Sequence, residues 1–343
     1  MIPFSKPAIS VKAQLDLLRS RGLEIQSPER AERYLEVISY FRLSAYMRPF
    51  QNPSDQNHGF KKGIKFQQIV ALHAFDRELR LMLMDAIELV EVAVRSMINV
   101  VMGEKYQCEQ EPYSGSHWYL NPERFNSQYN HQKLIGTLQK KQHQEKKALQ
   151  QEEHKIDQSQ HAEPKKEALK DLKQRENYYR YYSNNYSEPV LPPSWSVIEE
   201  LSLGELSYLF KGLKRDADRK AIAKRFNVPQ DKIGSWLHTL TFVRNCCAHH
   251  ARLWNRELPI SPKLMRDKEW KLSYVLPNSH IQPAKRLYPV FLLLAHLIKE
   301  VSPDSLWIQS FLTLLNKYPE VPLINMGFPN DWQQHPFFQQ GAQ

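Results

Sequence analysis

Glycine is scarce in this chain, with 11 residues in 343. Sheet-rich folds and dinucleotide-binding folds spend glycine on hairpin turns and phosphate loops, so the shortage argues against both. Cysteine is scarcer still: three residues, two of them adjacent at 246 and 247. No disulfide framework can be built from these, and the count fits a reducing compartment. Long apolar runs are missing too. The longest, "VFLLLAHLI" at 290–298, contains a histidine and falls well short of the roughly 20 residues a membrane span needs. The opening "MIPFSKPAIS" lacks the basic-then-apolar layout of a signal peptide. The expectation is a cytoplasmic protein with no membrane partner.

What the chain has in excess is positive charge. Lys and Arg number 47 against 37 Asp and Glu, a net charge of +10 and a pI near 9.3. Such a balance favours a polyanionic partner, nucleic acid first. Hydrophobic residues make up 41% of the chain, enough for a real core and too many for a disordered tail.

Nearly every periodic segment has helical spacing. In "SVKAQLDLLRSR" (10–21), Val11, Leu15 and Leu18 share a side, and Gly22 follows as a stop. Ser27-Pro28 reads as a cap with proline at the first helical position, opening a helix over "ERAERYLEVISYFRLSAYMRPF". These two segments suit a packed helical hairpin or a helix-turn-helix reader. Residues 65–102 predict a long core-facing helix ending at Gly103, with Ile69, Leu72, Phe75, Leu79, Met82, Ile87, Val90, Val94, Met97 and Val101 inward. Its polar side carries Asp76, Arg80, Glu88, Glu91 and Arg95, the last two in the favourable order for an ion pair.

From 133 to 176 the sequence becomes almost wholly polar, with alternating charge: a solvated helical hairpin broken at Pro164, or a disordered insertion. The tyrosine-rich "YYRYYSNNY" (178–186) follows. With Arg175 and Arg180 it could stack on unpaired bases, and it could equally be packing where the insertion rejoins the core. Helices are expected at 195–214, 216–226 and 230–255, then a helical region to about 318 and an aromatic, proline-broken strap. The class is all-α. Five stretches follow: an N-terminal helical region (1–60), a first part of the core (61–130), the polar insertion (131–188), a second part of the core (189–260), and C-terminal helices with the strap (261–343).

Chemistry concentrates in "TFVRNCCAHHARLWNR", residues 241–256. Cys246, Cys247, His249 and His250 are zinc ligand types, but neighbours on a helix point about 100° apart, so four within five residues cannot converge on one ion. No spaced second pair exists, and neither metal nor cofactor is expected. Continued as a helix, the segment places Trp236, Leu240, Val243, Cys247, His250 and Trp254 on an apolar stripe. Asn245, His249, Arg252 and Arg256 fall on a polar one, and Arg244 between them. His250 is then the buried structural histidine and His249 the working one. A histidine among arginines suits RNA cleavage: the guanidinium grips phosphate and the imidazole moves a proton. It also suits a cluster that only binds phosphate.

The string "FVRNCCAHHARLWNR" resembles the Abi (abortive infection) family of the AbiD/AbiF type. Its Arg-Asn-x-x-x-His core is similar to the Arg-x4–6-His motif of the HEPN superfamily of helical ribonucleases. "KPAISVKAQLDLLRSRGLEI", "AERYLEVISYFRLSAYMRPF", "FDRELRLMLMDAIELVEVAVRS", "LPPSWSVIEELSLGELSYLF" and "MGFPNDW" resemble that family's blocks in the same order. Arg124 and His131 also meet the loose spacing, by coincidence.

The resemblance implies a HEPN-like helical bundle with Arg244 and His249 as the catalytic pair and Asn245 as its polar neighbour. His250 also satisfies the spacing. Glu88 or Glu91 with Arg95 would brace the motif, while on their own chemistry Arg252 and Arg256 beside it, and Arg175 and Arg180 by the tyrosines, are the candidates for RNA contact. It further implies a homodimer with one composite site, a metal-independent endoribonuclease leaving 2′,3′-cyclic phosphate ends, and a role in anti-phage defence. An antitoxin RNA or protein would restrain it. The rivals are a non-catalytic RNA-binding protein and a helix-turn-helix DNA-binding regulator built on residues 10–50.

Overall fold

Ser10 opens the first helix of the chain, its hydroxyl accepting the N–H of Ala13 at 3.2 Å. A computed structural model describes residue 3 and residues 7–272 and 282–339. Helix α1 (Val11–Ser20) closes at Gly22, whose φ of 87° is the left-handed turn a glycine supplies. Helix α2 (Pro28–Ile38) packs on α1 as a hairpin. The helix expected to continue to Phe50 instead breaks at Ser39, with φ 79°. The Ser39 hydroxyl caps a new helix, α3 (Tyr40–Met47), by accepting from Arg42 N–H. This break lets Leu43, Tyr46 and Met47 turn inward against the central helix.

That central helix is α4 (Phe66–Tyr106), 41 residues and so about 60 Å long. It passes Gly103, where a stop was expected, and runs on to Tyr106. Of the apolar positions read from the sequence, Met82 and Met97 are only partly covered and the other eight are buried. The polar side is not all solvated as expected: Asp76, Arg80 and Glu91 are buried as well.

The insertion is a helical hairpin, α5 (His131–Asp157) and α6 (Glu163–Arg175), with Pro164 in the first turn of α6. Helix α7 (Tyr178–Asn185) packs on both and buries Tyr179 and Tyr182. Arg180 is buried there too, bonded to Glu145 at 3.0 Å and to Glu152 at 3.1 Å. Arg175 pairs with Asp171 on the exposed side of α6. Of the four arginines expected to meet RNA, Arg180 is thus a tie inside the insertion, because two carboxylates of α5 claim its guanidinium.

Helices α8 (Ser194–Val197), α9 (Leu203–Gly212) and α10 (Asp216–Lys224) lead to α11 (Gln230–Ala248), which packs on α9 and α4. Helix α9 starts with a capping box between Ser202 and Glu205. Helices α12 (Tyr288–Val301) and α13 (Trp307–Lys317) cover another side of α4. The strap behind them ends in the short α14 (Pro336–Gln339) and buries Phe328, Trp332 and Phe338 against Phe291 and Phe311. The protein is all-α, with no strand among the described residues. No helix among them is long and apolar enough to cross a membrane.

Candidate active site

Helix α11 ends at Ala248, seven residues before the expected stop. Its last turn closes by two reverse bonds: Ala251 N–H donates to the Cys246 carbonyl at 2.8 Å, and His250 N–H to the Cys247 carbonyl at 3.1 Å. This is a Schellman turn. His249 is the C-cap, and His250 holds the left-handed position, φ 55°, that glycine usually takes.

The helical stripes therefore stop at Ala248. His250 does not continue the apolar stripe and is not a buried structural residue: the turn swings it outward, and it is exposed, as is His249. Arg252, Trp254 and Arg256 lie in the irregular segment after the turn, where Trp254 is fully buried. Cys246 and Cys247 are buried under the motif as expected. Burial pushes both thiols up, Cys247 to about 12, so they stay protonated and serve as packing.

Three elements fix the segment from 249 to 256. From α3, Arg42 donates to the His250 carbonyl at 2.7 Å, while Arg252 reaches back to the Ala45 carbonyl at 3.1 Å. From α4, the fully buried Asp76 accepts the N–H groups of Leu253 (3.1 Å) and Trp254 (2.6 Å). Its remaining lone pairs take the Tyr46 hydroxyl at 2.6 Å and Arg80 at 2.5 Å. A lone buried carboxylate would cost several kcal/mol, and four donors with a paired guanidinium offset that cost. From the chain near α12, Arg286 donates to the Asn255 side chain at 3.1 Å.

The motif side chains themselves are unengaged. Arg244, half-buried, and the exposed Asn245 and His249 have no side-chain hydrogen bond or ion pair among the described residues. Arg256 donates one bond to the Arg252 carbonyl and lies 5.5 Å over the Phe242 ring, leaving further N–H donors unspent. Burial pushes the Arg252 guanidinium below its ordinary value, in keeping with its half-buried place at this turn. The surface at the end of α11 thus presents histidines among arginines from two elements, with the last helix carbonyls closed off by the turn.

The acid and base expected as a brace are bonded to each other. Glu91 bonds Arg95 at 2.5 Å, and Arg95 donates to the Leu201 carbonyl at 2.9 Å, tying α4 to the start of α9. Glu88 is exposed. Fifteen residues of helix, about 22 Å, separate Glu91 from Asp76. The acid and base that hold the motif segment are Asp76 and Arg80. Sequence reading missed them because an i,i+4 pair on a long helix reads as a solvated face. Among the described residues, no three His, Cys, Asp or Glu side chains are grouped so as to hold a metal ion.

A family profile described as Abi-like protein matches residues 33–255, more than half of the chain, including Asp76, Arg244, Asn245, His249 and His250. The chain belongs to the Abi-like protein family. Membership suggests an abortive-infection function and is compatible with an enzyme. The matched span runs from α2 to the segment held by Asp76, so this Abi-like protein carries the insertion hairpin inside its family region. No match is found among curated proteins or among solved structures.

Proposed function

We propose that this Abi-like protein is a HEPN-type endoribonuclease, cutting RNA through its own 2′-OH as part of a defence against phage. One observation carries the reading: among the described residues Arg244 and His249 stand without side-chain partners at the end of α11, on a turn that Asp76 and Arg42 hold in place. A site built for structure would have spent these side chains on neighbours.

In the proposed reaction His249 takes the proton of the 2′-OH as that oxygen bonds to the adjacent phosphorus. Arg244 neutralises charge on the phosphorane, and Asn245 orients the phosphate or the imidazole. The bond from phosphorus to the 5′-oxygen breaks, and that oxygen takes a proton, leaving a 2′,3′-cyclic phosphate and a 5′-OH. DNA lacks the attacking group. Arg252 and Arg256 hold flanking phosphates.

A second copy completes the site in this reading, its His249 protonating the departing oxygen. Phe41 and Val37 support such a contact. They are 87% and 72% exposed, and Phe41 precedes the arginine that holds the His250 carbonyl. Covering each would return about 1.5–3 kcal/mol.

The test is purified full-length protein with single-stranded RNA in EDTA. Cyclic phosphate ends should appear and vanish in Arg244→Ala and in His249→Ala, with unchanged circular dichroism. RNA that is bound but never cut would leave a binding protein in place of a nuclease.

A further inference from the structure

At the opposite end of α11 from the motif lies a cavity that the cleavage reading does not use. We propose that this cavity, about 460 Å³ and walled by Lys211, His238 and Lys263, is a phosphate-binding site for the RNA backbone or for a free phosphorylated ligand.

Its cations come from separate parts of the chain. Lys211 belongs to the last turn of α9, His238 to α11, and Lys263 to the segment after the active-site turn. The backbone of Lys263 is pinned on α11 at both its polar groups. Its N–H donates to Ser235 Oγ at 3.0 Å, and its carbonyl accepts from Trp236 Nε1 at 2.8 Å. That fixes where the Lys263 side chain starts, at the rim.

None of the three has a side-chain hydrogen bond or ion pair among the described residues. Instead they crowd one another. Burial and Lys263 hold the Lys211 ammonium below its ordinary value, and burial and Lys211 do the same to His238. The one acid at the wall, Asp231, lies 3.4 Å from Lys232. Arg219, also in the wall, is spent on Asp216 and the Leu213 carbonyl.

A second observation is independent of charge. The Gln230 side chain lines the same cavity, and its amide oxygen has no hydrogen-bond partner among the described residues. Amide oxygen and nitrogen exchange places by a simple flip, so this uncommitted side chain could turn an N–H donor to an anion in the cavity it lines. Like charges gathered without a counter-ion, beside an unused amide, are what a site for a doubly or triply charged anion needs.

The inference does not depend on cleavage, so its test uses calorimetry on the full-length His249→Ala variant. The titrants are inorganic tripolyphosphate and a twelve-nucleotide single-stranded RNA. Tripolyphosphate should bind at one per chain, and adding Lys211→Ala with Lys263→Ala should weaken it at least tenfold. Lys211→Arg with Lys263→Arg should preserve it, and Lys12→Ala with Lys299→Ala, on exposed helix faces, should leave it unchanged. If RNA binding falls with the alanine pair and tripolyphosphate competes, the occupant is RNA backbone. If RNA binding is untouched while tripolyphosphate is lost, the occupant is a free phosphorylated ligand. Tripolyphosphate that does not bind, or binds the alanine pair as tightly as the parent, overturns the proposal. So does an equal loss in the Lys12 and Lys299 control.

Discussion

Asp76 accepts the backbone N–H of Trp254 at 2.6 Å, across 178 residues of chain. The bond joins the middle of the fold to the turn that presents the motif, and the same carboxylate also holds Leu253 N–H, the Tyr46 hydroxyl and Arg80. Asp76→Ala would strand a buried guanidinium and two main-chain donors. A loss of about 3–5 kcal/mol in unfolding free energy is expected, read from urea denaturation. Tyr46→Phe removes one hydroxyl bond and should cost about 1 kcal/mol. A loss below about 1 kcal/mol for Asp76→Ala would mean the turn is held by something else.

This relationship marks where sequence reading stopped. Long-range partners are not written in local periodicity, so Asp76 and Arg80 read only as members of the polar side of a long helix. The end of α11 was hidden for a related reason. Helices usually announce such a turn with glycine, and here His250 occupies glycine's place, so the stripes ran on to Arg256. The helical class and the long α4 were legible because each rests on spacing alone, whereas for the insertion the sequence left a hairpin broken at Pro164 and a disordered segment both open. The break at Ser39 was not, since serine within an apolar-periodic run carries no stop signal and the turn depends on α3 docking against α4.

His250 in the left-handed region leads to a separating experiment. A non-glycine residue there costs about 1–2 kcal/mol, partly returned because glycine gains entropy when unfolded. His250→Gly should therefore raise stability by up to about 1 kcal/mol, measured by thermal denaturation. If His249 is the working histidine, that variant keeps most of its RNA cleavage while His249→Ala has none. The reverse pattern would transfer the catalytic role to His250.

Arg42 fixes the same turn from outside by its bond to the His250 carbonyl. The residue is exposed, so Arg42→Ala should change the melting temperature by little. Cleavage should fall about tenfold if the turn loosens, since small misplacements of reacting groups are costly in rate. Unchanged cleavage in that variant would show the turn needs no outside support.

Phe41 tests the second copy. Its ring is 87% exposed, so Phe41→Glu should leave the fold intact by circular dichroism. Light scattering should show a dimer in the parent and a monomer in the variant, with cleavage lost alongside. A variant of unchanged mass that still cuts RNA would place the partner elsewhere.

Acid should weaken the fold before the carboxylates titrate. Burial, and then Arg80, hold the His73 imidazole below its ordinary value, with Arg42 and Arg77 adding to the effect and Asp76 opposing it. His117 is also lowered by burial, against hydrogen bonds that favour its charged form, its Nε2 lying 3.0 Å from the Leu191 carbonyl. For a histidine lowered on folding, the unfolded chain binds the proton more readily. Stability is then full above the ordinary value near 6.5 and is lost as pH falls through the lower native value. Glu78, Asp55, Glu152 and Asp157 are lowered as well, but their contributions are full above the ordinary carboxylate values and are lost only as pH falls from there through the lower native ones. Urea midpoints measured between pH 7.5 and 5 should fall, and His73→Gln with His117→Gln should flatten that decline while leaving the steeper loss below about pH 4.5 in place. A decline of the same slope in the double variant would assign it to other groups.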